Sequence, residues 1–365
     1  MKLLYITNGI NGAGGLERVL SIKASYLADN YGYEVVIVTL NENHPNSFYT
    51  FSSKIKLISI SVGGSPFRYS LNYLNEMRKV VAEVNPDVIS VCDDGIKGFI
   101  LPIFLGKGKP IVYERHVSKE IEMHHDFSFF KKTQIKIKWL LMDFLSKSFS
   151  AFVLLSDGNK KEWPKHSNIA VIANPLSFYP TNYSRLENRK VICVGKQSYQ
   201  KGQDLLLQAW KLVLERFPNW TLEMYGQKNA ALGLESLAEE LFISHAVSFH
   251  DPKKEIENQY IDSSIYVMSS RYEGFGMVLI EAMACGLPCV SFDCNYGPSD
   301  IIKNNVDGLL SDKGNIKSLA DNMMVLMSNS SLRQQMGSQA RENVKRFLPD
   351  DIVLQWDFLF KSLIK

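Results

Sequence analysis

The chain has 365 residues, of which 45% are hydrophobic and 22% charged, and its formal net charge is +3. This length suits two domains of ordinary size, and the composition excludes a disordered chain. The weak positive charge gives no reason to expect nucleic acid as a partner. We find no run of about 18 apolar residues that would predict a membrane-spanning helix. The first apolar run is too short for a signal peptide, so we expect a cytoplasmic protein.

The first half of the chain alternates short apolar strands with helices. The predicted strands are nearly continuous in apolar residues, as parallel strands covered on both faces are. This rhythm predicts a doubly wound parallel sheet, a Rossmann-like α/β domain. The predicted strands cover residues 2–7, 34–40, 56–61, 87–92, 110–114 and 151–156, and the predicted helices cover 16–31 and 71–84.

The second half repeats this pattern, with strands predicted over 189–195, 221–225, 247–250, 265–269 and 288–292 and helices over 202–217, 278–285 and 316–327. Residues 174–183 contain two prolines and two asparagines, a composition typical of a linker. We therefore predict domains over 1–176 and 184–350, with a final helix over 351–365 that returns to the first domain. Two such domains would face each other across a cleft, where ligands usually bind.

A glycine cluster follows the first predicted strand. Gly12, Gly14 and Gly15 would let the backbone approach a ligand closely, and the start of the next helix favours an anion. The spacing differs from the GxGxxG dinucleotide fingerprint. A tight turn without a ligand is the alternative interpretation.

Two lysines lie in one short loop after the strand predicted over 189–195. At the mouth of a cleft, the ammonium groups of Lys196 and Lys201 could neutralise a leaving nucleotide diphosphate without a metal ion. The alternative is that both are ordinary solvated lysines.

Residues 270–288 contain two glutamates eight positions apart. Glu273 precedes a Gly-Phe-Gly turn, and a predicted helix then offers the free amides of Gly276 and Met277 to a phosphate. Glu281 lies two turns into this helix, about 12 Å further along. Because its neighbours are apolar, we expect its carboxylate to be buried and to need a partner, which favours a functional role. A surface position for Glu281 is the alternative.

Two further segments have open interpretations. A Gly-Pro turn within residues 295–302 predicts either an anion or sugar site or only a capped helix. Residues 127–149 are both basic and apolar, which is typical of a helix on an anionic membrane surface. A core helix with a solvated basic face would show the same composition. In the first case the protein would sit peripherally on the inner face of the cell membrane.

These motifs resemble glycosyltransferase family 4, a family of retaining enzymes with the GT-B fold. The resemblance rests on Glu273-Gly274-Phe275-Gly276 with Glu281, on the pair Lys201-Gly202, and on the opening Gly14-Gly15-Leu16-Glu17-Arg18. It covers nearly the whole chain, and its bacterial surface-polysaccharide members are the most similar in residues 296–302.

The resemblance assigns roles to single positions. It implies that Glu273 contacts the hydroxyls of the donor sugar, Glu281 the ribose and Lys201 the diphosphate. His116, after the strand predicted over 110–114, would lie near the reacting sugar. Family members usually have arginine at the position of Lys196, so the charge is kept but the two-pronged contact is lost. The implied catalytic residues are His116, Glu273, Lys196 and Lys201, and the donor-binding residues are Gly14, Gly15, Lys196, Lys201, Gly226, Glu273, Gly274, Phe275, Gly276, Met277 and Glu281.

The resemblance implies transfer of a hexose or N-acetylhexosamine from a UDP-sugar or related donor to a saccharide or lipid-linked acceptor. Such an enzyme would need no metal and no other cofactor, and Asp93-Asp94, the nearest acidic pair, would have no metal to bind. A nucleotide-sugar epimerase of the same fold and a non-catalytic sugar- or nucleotide-binding membrane scaffold are the alternatives.

Overall fold

The computed structural model describes residues 1–42, 47–93, 95–106, 108–123, 127–164, 166 and 168–364. Asp94 of the acidic pair lies outside these residues. The chain forms two compact units, Leu176–Leu348 and a unit that combines Met1–Pro175 with Pro349–Lys365. The boundary near residue 175 falls inside the segment 174–183.

The first unit is built on a sheet of seven parallel strands. The strands are β1 (Lys2–Thr7), β2 (Glu34–Leu40), β3 (Lys56–Ile60), β4 (Val88–Cys92), β5 (Ile111–Glu114), β6 (Ala151–Leu154) and β7 (Ile169–Val171). Their order in the sheet is β3-β2-β1-β4-β5-β6-β7, so the chain reverses direction across the sheet between β1 and β4. The helices between them are α1 (Gly15–Asn30), α2 (Pro66–Val84), α3 (Ile96–Leu105) and α4 (Phe129–Ser146).

The second unit has a sheet of six parallel strands in the order β10-β9-β8-β11-β12-β13. Here the strand order reverses between β8 and β11, and ligands of open α/β sheets bind at such points. The strands are β8 (Lys190–Val194), β9 (Thr221–Tyr225), β10 (Val247–His250), β11 (Ile265–Met268), β12 (Cys289–Asp293) and β13 (Gly308–Asp312). The helices are α5 (Gln203–Leu214), α6 (Leu234–Glu240), α7 (Glu257–Ile261), α8 (Met277–Ala284), α9 (Pro298–Ile301), α10 (Ile316–Ser328) and α11 (Ser330–Asn343).

The last helix, α12 (Pro349–Ser362), belongs to the first unit and packs against α1. Its buried face carries Trp356 and Phe360. Asp357, buried on the same face, accepts a hydrogen bond of 2.7 Å from the Tyr33 hydroxyl. The apolar contacts and this polar contact fix α12 on the first unit.

Most predicted elements are present with small shifts at their ends. Helix α2 begins at Pro66, earlier than the predicted residue 71, because proline is well suited to the first position of a helix. Helix α5 ends at Leu214, before the predicted residue 217. Strands β7 and β13 and helices α3, α6 and α11 had no counterpart in the sequence prediction. Strand β7 has only three half-buried residues, and α11 is largely polar, so neither has a clear apolar pattern.

The combined fold is that of two Rossmann-like α/β units, as predicted. Among the helices of the described residues, none is both long and apolar enough to cross a membrane.

Candidate active site

The loop after β8 lies against the loop after β11 in the second unit. Gly202 has φ +60°, and a Cβ at this position would lie 2.1 Å from the carbonyl oxygen of Ser269. The Ser269 hydroxyl donates to the carbonyl oxygen of Lys201 at 3.0 Å, and the Arg271 amide donates to the Gln200 carbonyl at 2.7 Å. Glycine is therefore required where these loops meet, at the point where the strand order reverses.

Lys201 and Glu273 form an ion pair across these two loops. The Lys201 ammonium lies 2.7 Å from Glu273 Oε1, and the Ser270 hydroxyl donates to the same oxygen at 2.5 Å. The Glu273 side chain is 6% exposed and the Lys201 side chain 19% exposed. The structure thus brings together two predicted site residues that are 72 positions apart, one of each charge, at the rim of the sheet.

Arg271 also stabilises the contact between the loop after β8 and the loop after β11. Its guanidinium makes a two-pronged contact with the Asp204 carboxylate, at 2.8 and 2.6 Å, and donates to the Tyr199 carbonyl at 2.8 Å. These contacts bind the loop after β11 to the first turn of α5. Sequence reasoning did not select Arg271, Asp204 or Ser270. Arg271 and Ser270 could have been suspected, because they directly precede Glu273.

The Gly-Phe-Gly turn leads into α8. Gly276 precedes the helix with φ +105°, and Met277 is its first residue. Gly274, Phe275 and Gly276 are buried, whereas Met277 is half-buried. The first amides of α8 therefore lack partners within the helix and are the groups best placed to meet an anion.

Residues 295–302 pack against this turn. Glu273 and Asn295–Tyr296 exchange two backbone hydrogen bonds, of 3.0 and 3.2 Å. A Cβ at Gly297, which has φ +116°, would lie 2.0 Å from the Phe275 carbonyl oxygen. These contacts give residues 295–302 a structural role in supporting the turn, beside the two interpretations open from the sequence.

Glu281 is completely buried in α8, as its apolar neighbours predicted. Its carboxylate accepts a hydrogen bond from the Ser177 hydroxyl at 2.9 Å and a longer one from the Tyr260 hydroxyl at 3.4 Å. Burial of Glu281 is therefore not by itself an argument for a ligand, because hydroxyls of the protein contact the carboxylate.

Lys196 and Gly226 are neighbours at the ends of β8 and β9. A Cβ at Gly226 would lie 2.1 Å from the Gly195 carbonyl oxygen and 3.0 Å from the Lys196 amide nitrogen. Lys196 is exposed, and none of the ion pairs among the described residues involves its ammonium group. The exposed ammonium of Lys196 is thus available for an anionic ligand.

In the first unit, the glycine cluster lies between two acidic side chains. Glu42 accepts hydrogen bonds from the amides of Ile10 and Asn11, at 2.7 and 3.2 Å. A Cβ at Gly14, which caps α1, would lie 2.4 Å from a carboxylate oxygen of Glu17. A phosphate near Gly14 and Gly15 would therefore require the Glu17 carboxylate to turn away, because like charges repel.

His116 follows β5 and is held by Glu114, the last residue of that strand. The two side chains are 3.1 Å apart, and His116 has a side chain only 6% exposed. Glu114 also accepts from the Ser90 hydroxyl at 2.6 Å and forms a buried ion pair with Lys23. Burial opposes ionisation of Glu114, but Lys23 and His116 outweigh it and lower the pKa of the carboxyl to about 2. Sequence reasoning missed Glu114 and Lys23, although a charged residue ending an apolar strand is a usable signal.

Cys92, Glu114 and His116 are the three potential metal ligands that converge within the described part of the chain, with ligand atoms within 4.8 Å of one another. The Lys23 ammonium already contacts the Glu114 carboxylate and lies 3.9 Å from the Trp356 ring centroid. A metal cation would have to compete with this buried positive charge.

The chain is similar in sequence to known glycosyltransferases. Residues 181–343, which include Lys196, Lys201, Glu273 and Glu281, match the family model described as Glycosyl transferases group 1. The match lies within the second unit, so this part of the chain is similar to a glycosyltransferase domain. An uncharacterized glycosyltransferase of Haemophilus influenzae is 29% identical over 365 residues, which cover 97% of this chain and 98% of the relative. The amylovoran biosynthesis glycosyltransferase AmsD of Erwinia amylovora is 29% identical over 371 residues, covering 98% of each chain.

Solved structures of low sequence identity share the fold over almost the full length of this chain. Staphylococcus aureus TarM, in a complex that includes UDP, superposes with a TM-score of 0.79 at 16% identity, covering 99% of this chain and 100% of TarM. Anabaena HepE, solved with UDP and glucose, gives 0.78 at 19% identity and full coverage of both chains. The predicted GT-B fold is confirmed, and the sequence matches support the predicted transferase.

Proposed function

We propose that this protein is a retaining, metal-independent glycosyltransferase of family 4 that uses a UDP-sugar. It would transfer a hexose or N-acetylhexosamine to a saccharide or lipid-linked acceptor during synthesis of a bacterial surface polysaccharide. The observation that carries the proposal is the Lys201–Glu273 pair where the strand order reverses in the second unit. A cation for a diphosphate and a carboxylate for sugar hydroxyls lie side by side there.

The charges of the second unit suit a nucleotide diphosphate. We assign the diphosphate to Lys201, to the exposed Lys196 and to the first amides of α8 at Gly276 and Met277. In the described structure Lys201 is neutralised by Glu273. Donor binding would replace that contact, with phosphate oxygens accepting from the ammonium and sugar hydroxyls donating to the carboxylate.

The remaining donor-binding residues line the same region or the first unit. Gly226 lets the backbone of Gly195 and Lys196 pack closely at the ends of β8 and β9, and we assign it to the donor site through its place beside Lys196. We assign the ribose to Glu281, which then exchanges its bond with Ser177 for bonds with the ribose hydroxyls. Gly274 and Phe275 shape the turn, and Gly14 and Gly15 give the donor phosphates access to the backbone.

The proposed reaction is a substitution at the anomeric carbon in which the acceptor attacks the same face of the sugar from which the phosphate departs. The bond from that carbon to the phosphate oxygen breaks while a bond to the acceptor oxygen forms, and the acceptor proton passes to the departing phosphate. Lys196 and Lys201 stabilise the charge that develops on the leaving group. His116, oriented by Glu114, would contact the reacting sugar.

The similar proteins support the biological setting and the donor. AmsD is named for the biosynthesis of amylovoran, and its match covers nearly all of both chains. HepE was solved with UDP and glucose, and TarM in a complex with UDP. A UDP-sugar is therefore the donor class to test first.

The first experiment is calorimetric titration of the protein with UDP, GDP and ADP, each with and without EDTA. We expect UDP to bind and its affinity to survive EDTA. Tight binding of GDP instead would redirect the donor assignment to GDP-sugars, and loss of binding in EDTA would contradict the metal-free mechanism. If none of the three nucleotides binds, the proposed transferase site is wrong and the scaffold alternative gains support.

A second measurement addresses stereochemistry. Once a donor and acceptor pair turns over, proton NMR of the product reports the configuration of the new glycosidic bond. Retention of the donor configuration is expected, and an inverted product would refute the same-face route. Consumption of the UDP-sugar without any acceptor would indicate the epimerase alternative.

A further inference from the structure

Helix α4 exposes a broad apolar face to solvent. At 3.6 residues per turn, seven positions of this helix fall within an arc of about 120°. Six of them are large apolar side chains, and all six are exposed, from 44% for Leu141 to 80% for Phe130. We call this the outward face, and its apolar members are Phe129, Phe130, Ile137, Leu140, Leu141 and Phe144.

The opposite side of α4 is anchored in the first unit. Ile135, Met142 and Leu145 are buried there, with Met142 and Leu145 in the apolar core of that unit. The helix is therefore apolar on two sides, and only one of them is used for folding. The outward face does not contribute to the core of the first unit. Exposed apolar patches of this kind usually mark an interaction site.

Lysines border the outward face. Lys131 and Lys136 are exposed and Lys132 and Lys138 half-buried. Asp143 is the one acidic residue of α4, and Lys119 lies 2.5 Å from its carboxylate. Lys138 is paired with Glu122 at 2.6 Å, so the net positive charge of α4 rests chiefly on the exposed Lys131 and Lys136.

The neighbouring helix extends the apolar surface. Helix α3 packs against α4 and exposes Ile103, at 58% of its surface. Two adjacent helices of one unit therefore both present apolar side chains to solvent.

We propose that the outward face of α4 binds the surface of a lipid bilayer that contains anionic phospholipids. The helix would lie in the plane of the interface, with its aromatic and aliphatic side chains among the acyl chains and its lysines at the phosphate groups. The positive border selects this occupant over a second copy of the chain, because two such faces brought together would set lysines against lysines. The proposal does not rest on the identity of the donor sugar, and it would place the enzyme beside a lipid-linked acceptor.

The test is co-sedimentation of the full-length protein with vesicles of phosphatidylcholine, with and without phosphatidylglycerol. We expect binding to the vesicles that contain phosphatidylglycerol and weak binding to pure phosphatidylcholine. The variant with Ile137→Ser, Leu140→Ser and Phe144→Ser should lose binding to both. Phe242→Ser, which changes an 84% exposed aromatic residue of the second unit, is the matched control and should bind as the unaltered protein does.

A charge variant separates the two contributions. Each lysine near an anionic membrane surface contributes about a fivefold gain in affinity, so Lys131→Gln with Lys136→Gln should weaken binding about 25-fold. Added salt should weaken binding of the unaltered protein as well. UDP affinity of every variant, measured by calorimetry, reports whether the fold and donor site are intact.

Three results would overturn the proposal. The protein could fail to bind either vesicle, or the Ser variant could bind as well as the Phe242→Ser control. The third result would come from sedimentation velocity without lipid. A dimer that the Ser substitutions dissociate would show that a second copy covers this face. None of these results would affect the donor-site proposal, which the calorimetric titration tests separately.

Discussion

Replacing Glu114 with glutamine should destabilise the first unit strongly, because it leaves a buried lysine without its counterion. Glutamine keeps the shape and can still bond Ser90 and His116, but it removes the negative charge. The Lys23 and Glu114 side chains are each 1% exposed, so water cannot replace the lost partner. The rings of Trp356 and Tyr5, at 3.9 and 5.2 Å, would still favour the ammonium, but neither carries a full negative charge.

The size of the effect follows from the buried charge. Removing one partner of a buried ion pair costs about 3–5 kcal/mol. The lowered pKa of Glu114 agrees, since a change from 4.5 to about 2 corresponds to roughly 3 kcal/mol of preference for the ionised form.

Hydrogen exchange read by mass spectrometry is the suitable assay, because it reports on each unit separately, whereas one melting curve of a chain with two compact units gives no well-defined free energy for either. Peptides from β1 and β5 should show protection reduced by about 3–5 kcal/mol, while peptides from β8 and β11 serve as the internal control. Adding Lys23→Met to Glu114→Gln removes the orphaned charge and should restore most of the protection. A single-variant loss below about 1 kcal/mol, or a double variant no better than the single one, would refute the reasoning.

Three other predictions follow from the same contacts. Lys201→Ala should weaken UDP binding about 10- to 150-fold in calorimetry, which is the size of a lost charged hydrogen bond. The control Lys317→Ala removes an exposed lysine that is paired with Asp321 at 2.7 Å, and it should leave UDP binding unchanged. Equal effects of the two substitutions would remove the assignment of Lys201. Gly202→Ala should lower the hydrogen-exchange protection of peptides from the second unit by about 3 kcal/mol or more, because the added methyl meets the Ser269 carbonyl. Gly233→Ala, with nearly the same φ but open space around it, should cost only about 1 kcal/mol, and similar losses in both would contradict the steric argument. Because the folded state lowers the pKa of Glu114, the contribution of this carboxylate to stability is complete above about pH 4.5 and is lost as the pH falls towards 2. Hydrogen exchange at a series of pH values should show this loss in the first unit. An unchanged acid profile in Glu114→Gln would argue against it.

The sequence by itself determined the α/β class and most element boundaries. Buried parallel strands are nearly continuous in apolar residues, so β1, β2, β9 and β10 could be placed to the residue. Short or polar elements such as β7 and α11 lack that pattern and became visible only in the fold. The motif around Glu273 and Glu281 could also be identified from the sequence, because the glycines that its turn requires are close to it in the chain.

The tertiary structure alone decided which side chains meet. Lys201 and Glu273 lie 72 positions apart, and no local pattern predicts that adjacent strands β8 and β11 bring them to 2.7 Å. The partners of Glu281 and the pairing of Lys23 with Glu114 likewise depend on packing between distant elements. The outward face of α4 could likewise not be defined from the sequence alone. Composition revealed a helix both basic and apolar, but only the packing of one side into the core showed which apolar residues remain exposed.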